Sequence, residues 1–307
     1  MKLGNLLIRS TAHLVLLSSV LVAPAPGAHR GFLFQAQVEL LDCDGTPCVQ
    51  ASVGGRNVKL GIDTGNEASV LDTKMANAAG IKPSAPSRGG APAGTFRITI
   101  PEVKVGAVTL TAVPGLAMDL TEMIEHQQMP QVDGTLAYTA FKNRVVQLDF
   151  RNHKLSISDV DLKPEDAPAS SCEKIELITF GKEGPPIVVA KGFELNGKKL
   201  SAQVDTMFTG SLLVYSTAVE KLGLTTESKT EETEYFPLTD GGVQMKVAAV
   251  KQEAFRGRAL TAGSAKVYFP TPDVHEPDNL FDATVGLALL RDTVLILDFR
   301  AMTICIV

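Results

Sequence analysis

The feature that most constrains the fold is a hairpin followed by an aspartate, and it occurs twice. In the first copy, two short apolar strands flank the glycine pair Gly54–Gly55, and Asp63 follows the second strand. This pattern predicts a β-hairpin, because tight two-residue turns need positive φ angles. The second copy turns at Asn196–Gly197 and ends at Asp205, 142 positions after Asp63 (205 − 63). The chain is therefore a duplication in which each half presents one aspartate at a strand end.

The residues after each aspartate also repeat. The same offset relates Thr64 to Thr206 and Ser69 to Ser211. An acidic side chain at the end of an apolar strand is costly to bury unless the protein uses it. A single Asp-Thr-Gly also occurs in ordinary turns, but an ordered and repeated set is a specific signal of a duplicated site.

The tripeptide Asp63-Thr64-Gly65 after an apolar strand, with its second copy, resembles the aspartic proteases of the pepsin and retropepsin type. Two later segments in each half resemble the remaining signatures of that family, namely 133–138 with 282–287 and 145–150 with 294–299. The resemblance covers about residues 35–158 and 175–307.

The resemblance implies an exported, bacterial-type member of the family with an all-β fold. Two retropepsin-like barrel lobes would be related by pseudo-two-fold symmetry, with few short helices. We expect the lobes at 29–160 and 174–307, joined by a charged, proline-containing linker at 161–173.

Asp63 and Asp205 are the implied catalytic residues of an aspartic endopeptidase. Two carboxylates within hydrogen-bond reach cannot both ionise cheaply, so one keeps a proton while the other takes a proton from water. By the resemblance, Thr64 and Thr206 lock the two motif loops together. Gly65 would let the loop backbone approach the carboxylates closely. This chemistry implies no metal and no cofactor.

The second motif departs from the family pattern. Met207 stands where a glycine is usual, Phe208 stands where a small residue is usual, and Ala137 replaces a glycine of the first half. We expect a side chain at position 207 to crowd the motif loop or to shift its backbone. Two alternatives follow: a homodimer in which Asp63 meets its own copy, and a non-catalytic peptide- or protein-binding module on the same scaffold.

Other functional centres are not indicated. The sequence contains no His-Glu-x-x-His zinc helix, no Gly-x-Ser-x-Gly elbow and no Gly-x-x-x-x-Gly-Lys phosphate loop. Its formal net charge of −5 offers no basic excess for nucleic-acid phosphates. The resemblance to aspartic proteases implies a peptide or protein substrate, bound in extended form by a monomer.

The N-terminus is typical of an export signal. Basic residues precede an apolar run at 14–23, and small residues follow as far as Ala28. The run is too short to span a bilayer comfortably, so it predicts a signal peptide at 1–28, with an uncleaved anchor as the alternative. The mature chain would then be periplasmic or secreted, without stable membrane insertion.

The four cysteines favour disulfides in an exported chain. Cys43 and Cys48 flank a turn and could staple it, while Cys172 opens the second half and Cys305 lies in its last strand. Four cysteines allow three connectivities, so the sequence leaves the pairing open.

Local signals predict two short helices at equivalent places, one over Asp72–Ala79 before Gly80 and one over Ser216–Leu222 before Gly223. The polar stretch 225–235 predicts a solvated loop. The resemblance to aspartic proteases implies a flap over the substrate cleft, and the loop before Phe96 is a candidate for its tip.

Overall fold

The structure is a computed structural model, and it describes residues 34–87, 94–125, 130–162, 167–179, 186–224, 232–238, 241–250, 253–260, 265–270 and 280–307. The predicted signal peptide at 1–28 lies outside these residues. No helix in the described ranges is long and apolar enough to cross a membrane.

The described part of the chain is built mainly of strands, which confirms the all-β prediction. The first half contains β1 (Ala36–Glu39), β2 (Leu41–Cys43), β3 (Thr46–Val53), β4 (Arg56–Asp63), β5 (Ser69–Asp72), α1 (Thr73–Ala78), β6 (Ala85–Pro86), β7 (Phe96–Val105), β8 (Val108–Met118), α2 (Thr121–Glu125), β9 (Gly134–Ala137), a 3₁₀ turn (Tyr138–Phe141), β10 (Val145–Asp149) and β11 (Lys154–Ser158).

The second half repeats this plan after a 3₁₀ turn at Ala169–Ser171. Its elements are β12 (Cys172–Thr179), β13 (Pro186–Leu195), β14 (Lys198–Val204), β15 (Leu212–Val214), α3 (Ser216–Leu222), β16 (Glu232–Leu238), β17 (Gly241–Val250), β18 (Glu253–Phe255), β19 (Arg258–Ala259), β20 (Ala265–Pro270), β21 (Ala283–Val285), α4 (Leu287–Leu290), β22 (Val294–Asp298) and β23 (Thr303–Ile306).

Six strands of the first lobe close into a barrel. Their order is β3-β4-β9-β5-β8-β7, and β7 pairs back to β3. Val58, Leu60 and Ile62 alternate along β4 and are buried, as their spacing predicts for a strand with one face in a core. The strand is thereby held firmly up to Asp63, where the first motif begins.

The second lobe uses the same strand pairings around its own aspartate. β14 runs parallel to β21, and β15 runs parallel to β20, as β4 does to β9 and β5 to β8. The pairing that closes the first barrel is also present. β18 follows β17 in the sequence and pairs with the end of β13, where Leu195 lies opposite Glu253, just as β7 pairs with the end of β3, where Val53 lies opposite Val103.

A sheet shared by both halves joins the lobes, with the order β1-β11-β10-β22-β23-β12. At its centre β10 and β22 run antiparallel, and Gln147 lies opposite Ile296. These two residues are equivalents in the duplication, 149 positions apart (296 − 147). Equivalent residues face each other across an antiparallel pair when a two-fold axis passes between them, so this register confirms the pseudo-two-fold symmetry.

Both predicted short helices are present. Asp72 caps α1 by accepting hydrogen bonds from the backbone amides of Lys74 and Met75. Gly80 and Gly223, just after α1 and α3, both have φ of +71°. This left-handed conformation ends a helix and suits glycine.

The predicted polar loop at 225–235 is wrong where the structure describes it. Residues 232–238 form β16, which pairs with β17 from Glu232–Val247 to Leu238–Gly241. The charged sequence suggested a solvated loop, but the neighbouring strand supplies hydrogen-bond partners for its backbone. Residues 225–231 lie outside the described ranges.

The flap candidate is only partly described. β6 pairs with Phe96 and Arg97 at the start of β7, so these segments form the base of an antiparallel hairpin. Its connection, at 88–93, lies outside the described residues.

Two disulfides are formed, Cys43–Cys48 and Cys172–Cys305. Cys172 and Cys305 face each other in the ladder between β12 and β23. This pairing selects one of the three connectivities that the sequence allows.

Candidate active site

The two motif aspartates lie at the ends of equivalent strands. Asp63 is the last residue of β4, and Asp205 directly follows β14. A Cβ atom placed on Gly65 would lie only 2.6 Å from Asp205 Oδ2. The loop of the first motif therefore lies directly against the carboxylate of the second, and only a glycine fits at this contact.

Two threonines lock the motif loops across the pseudo-two-fold axis. Thr64 Oγ1 donates to the Val204 carbonyl at 2.8 Å, and Thr206 Oγ1 donates to the Ile62 carbonyl at 2.5 Å. The backbone amide of each threonine also donates to the hydroxyl of the other, at 3.2 Å in both directions. These buried and reciprocal bonds hold both aspartates at the lobe interface.

Backbone amides support both carboxylates. Gly65 N donates to Asp63 Oδ1 at 3.1 Å. Asp205 Oδ1 accepts from Met207 N at 2.8 Å and from Phe208 N at 3.2 Å. The second motif thus keeps its backbone donors although its third residue is not glycine.

The Met207 side chain occupies space that the first lobe leaves free. A Cβ atom on Gly61 would lie 3.1 Å from Met207 Sδ and 3.4 Å from Thr135 Cγ2. The missing side chain at position 61 therefore accommodates the methionine. The side chain extends across to β4, and the backbone amides of Met207 and Phe208 still donate to Asp205.

Phe208 is accommodated in a similar way by two glycines of its own lobe. A Cβ atom on Gly210 or Gly286 would overlap the Phe208 ring. The ring also lies edge-on to Tyr268, with centroids 6.4 Å apart. Both unusual residues of the second motif thus have matching space nearby.

Burial controls the electrostatics of the pair. Asp63 is only 8% exposed, and this burial, followed by the nearby charge of Asp205, raises the pKa of Asp63 to about 8, against smaller opposing effects of hydrogen bonds from Asn66 and Gly65. Burial also raises the pKa of Asp205, while the amides of Met207 and Phe208 lower it. The pair can therefore hold a proton from acidic pH to near neutrality.

The sequence-predicted residues Asp63, Thr64, Gly65, Asp205 and Thr206 all come together at this one place. Sequence reasoning did not single out two further polar residues that contact the motif loops. Asn66 donates a side-chain hydrogen bond to Asp63, and Gln203 Nε2 donates to the Gly65 carbonyl at 2.6 Å. A glutamine between the apolar residues Ala202 and Val204, two positions before the aspartate, is the signal that could have found Gln203.

The described residues contain no group of three or more histidine, cysteine, aspartate or glutamate side chains arranged to hold a metal ion.

Comparison with known families adds an independent observation. Residues 49–140 match a family described as aspartyl protease. The matched stretch runs from β3 to the 3₁₀ turn after β9, so it includes the first motif and covers less than half of the chain. No curated protein matches this sequence.

Proposed function

We propose that this chain, which carries an aspartyl protease family domain in its first half, is an exported aspartic endopeptidase that uses Asp63 and Asp205 as its catalytic pair. The observation that carries the proposal is the approach of two carboxylates, one from each half, on loops locked by Thr64 and Thr206, with Asp63 buried and Asp205 half-buried. Two carboxyl groups that share one proton can hydrolyse a peptide without a metal and without a nucleophilic side chain.

The proposed reaction uses both protonation states of the pair. The ionised carboxylate takes a proton from a water molecule as the water oxygen attacks the peptide carbonyl carbon, while the protonated carboxyl donates to the carbonyl oxygen. The carbon–nitrogen bond then breaks, the nitrogen receives a proton, and a carboxylic acid and an amine are released. The pair titrates as a unit, so neither role is fixed to one residue.

The arrangement favours the two-lobe enzyme over the homodimer alternative. A single chain supplies both motifs, and their threonines bond to each other within it. An extended peptide would bind in the cleft between the lobes by backbone pairing. The two disulfides support export to an oxidising compartment, in line with the predicted signal peptide.

Cleavage of an unfolded protein by the mature chain tests the proposal, from acidic to neutral pH. Asp63→Asn and Asp205→Asn are each expected to lower the rate by about a thousandfold or more, because each removes one half of the acid–base pair. Asp72→Asn is the matched control, since asparagine caps a helix as well as aspartate does, and it is expected to keep full activity.

The other results separate the alternatives. Loss of cleavage in Asp63→Asn alone would favour the homodimer of first lobes. A wild-type chain that cuts nothing at any pH, yet retains peptides in the cleft, would favour the non-catalytic binding module.

A further inference from the structure

Gln203 crosses from the second lobe to the first motif. It lies on β14 two residues before Asp205 and is 8% exposed. Its Nε2 donates to the Gly65 carbonyl at 2.6 Å. A buried amide that reaches the motif loop of the opposite lobe is in a position to act on the proposed catalytic pair without touching the substrate.

The backbone of Gly65, which Gln203 holds, is fixed from three directions. Gly65 N donates to Asp63 Oδ1, its carbonyl accepts from Gln203, and the Asp205 carboxylate fills the space where a Cβ atom of residue 65 would lie. Any movement of this residue therefore changes the surroundings of both carboxylates at once. Of these three contacts, only the one with Gln203 is made by a residue outside the aspartate pair.

A short polar chain holds the Gln203 amide in the donating orientation. Thr284 Oγ1 donates to Gln203 Oε1 at 3.4 Å, and the Tyr215 hydroxyl lies 3.0 Å from Thr284 Oγ1. Thr284 lies directly beside Gln203 in the parallel pairing of β14 and β21. With Oε1 accepting from Thr284, the Nε2 group is left to face Gly65.

The first lobe has no counterpart of this series of side-chain hydrogen bonds among its described residues. The equivalent of Gln203 is Gly61, which lies beside Thr135 in the parallel pairing of β4 and β9. Thr135 Oγ1 is buried and has no hydrogen-bond partner in the part of the chain that the structure describes. Thr135 and Thr284 are thus a matched pair of buried threonines, of which only the second is bonded to a lobe-crossing amide.

We propose that Gln203 is a positioning residue for the aspartate pair, which it serves by holding the Gly65 peptide through its amide, with Thr284 as its support. The proposal rests on the proposed function, since positioning matters only if the pair performs acid–base chemistry. Gln203 contacts neither carboxylate in this role and acts through the first motif loop.

The test measures kcat and KM of three variants of the mature, disulfide-bonded protein: Gln203→Met, Thr284→Val and Thr135→Val. Gln203→Met keeps the shape and loses the donor, so kcat should fall about tenfold while KM stays within about twofold, the usual size for one buried hydrogen bond. Thr284→Val should lower kcat by a smaller factor, and Thr135→Val should leave it unchanged. Equal losses in the two threonine variants, or full activity in Gln203→Met, would overturn the proposal.

The pH dependence of activity in Gln203→Glu provides a measurement that a merely structural role would not change. A protonated glutamate can donate to the Gly65 carbonyl, whereas an ionised one cannot. The activity of this variant relative to wild type should therefore fall as the pH rises. A ratio that is constant with pH would count against positioning by the amide donor.

Titration of the carboxyl groups by ¹³C NMR separates this inference from the proposed function. The titration midpoint of Asp63 should move in Gln203→Met and in Thr284→Val, but not in Thr135→Val, even if the protein proves to cut nothing. Unchanged midpoints in all three variants would refute the positioning role by itself.

Discussion

Replacing Asp63 with asparagine should change how the stability of the protein depends on pH. The folded-state pKa of Asp63 is raised from 3.8 to about 8 by burial and by Asp205. A raised carboxyl pKa gives stability that is fully present below pH 3.8 and is lost as the pH rises through the folded-state value. The wild-type pair should therefore destabilise the fold at neutral pH relative to acidic pH.

The size of the effect follows from that shift. Each pH unit between the two pKa values costs about 1.4 kcal/mol of unfolding free energy, so the upper limit between about pH 4 and about pH 7 is about 4 kcal/mol. Because the two carboxyl groups titrate together and share the change, we expect about 2 kcal/mol or more to depend on Asp63. The asparagine side chain of the variant carries no charge at any pH and removes this contribution.

Urea denaturation of wild type and Asp63→Asn at about pH 4, 5.5 and 7 measures the difference, with both disulfides intact. Other carboxylates contribute to stability with the opposite pH dependence. Burial raises the pKa of Asp282, but hydrogen bonds from Lys221 and Ser201 outweigh it and lower the pKa, so the contribution of Asp282 to stability is lost on acidification. Such groups are the same in both proteins and cancel in the difference. If wild type and variant change equally between acidic and neutral pH, the reasoning about the buried pair is wrong.

Two further predictions follow from local geometry. Gly65→Ala should abolish cleavage, because its Cβ would lie 2.6 Å from Asp205 Oδ2. Gly61→Ala should remain active, because its Cβ would meet the flexible end of Met207 at 3.1 Å and the Thr135 methyl group at 3.4 Å. Equal activities of the two variants in a peptide assay would contradict this. Replacing Cys172–Cys305 by alanines should lower the free energy of unfolding by about 5 kcal/mol, because the cysteines are 133 residues apart and loop-closure entropy grows with loop length. The same change at Cys43–Cys48, which are 5 residues apart, should cost about 2 kcal/mol. Urea denaturation measures both losses, and equal losses would refute the prediction.

The duplicated hairpins, the aspartates and the short helices could be predicted because their signals are local. Val58, Leu60 and Ile62 alternate within one strand, and the turn at Gly54–Gly55 needs only its own glycines. The match of residues 49–140 to the aspartyl protease family confirms the resemblance drawn from these signals. Patterns of this kind depend on neighbours in sequence, and a single chain contains them in full.

The partners of β13 in the second lobe could not be predicted, because β18 lies far from it in the sequence. The sequence of β13 does not reveal that β12 and β18 share its outer edge. Likewise, the charges of residues 225–235 suggested solvent, and the partner strand β17 decided the structure of 232–238. The first case depends on a strand that is distant in sequence. In the second case the partner is the next strand of a hairpin, but the charged residues conceal the strand because backbone pairing does not depend on side-chain polarity.

The unusual Met207 illustrates why a motif residue cannot be judged without its partner in the other lobe. The third position of each motif faces the strand position two before the aspartate of the opposite half, so Gly65 meets Gln203 and Met207 meets Gly61. Each of these two contacts between the lobes contains one long side chain and one glycine. Close packing admits only one long side chain at such a contact. The methionine that looks like decay in the second motif is therefore matched by the glycine at position 61, and the same rule leaves the first motif open to the amide of Gln203.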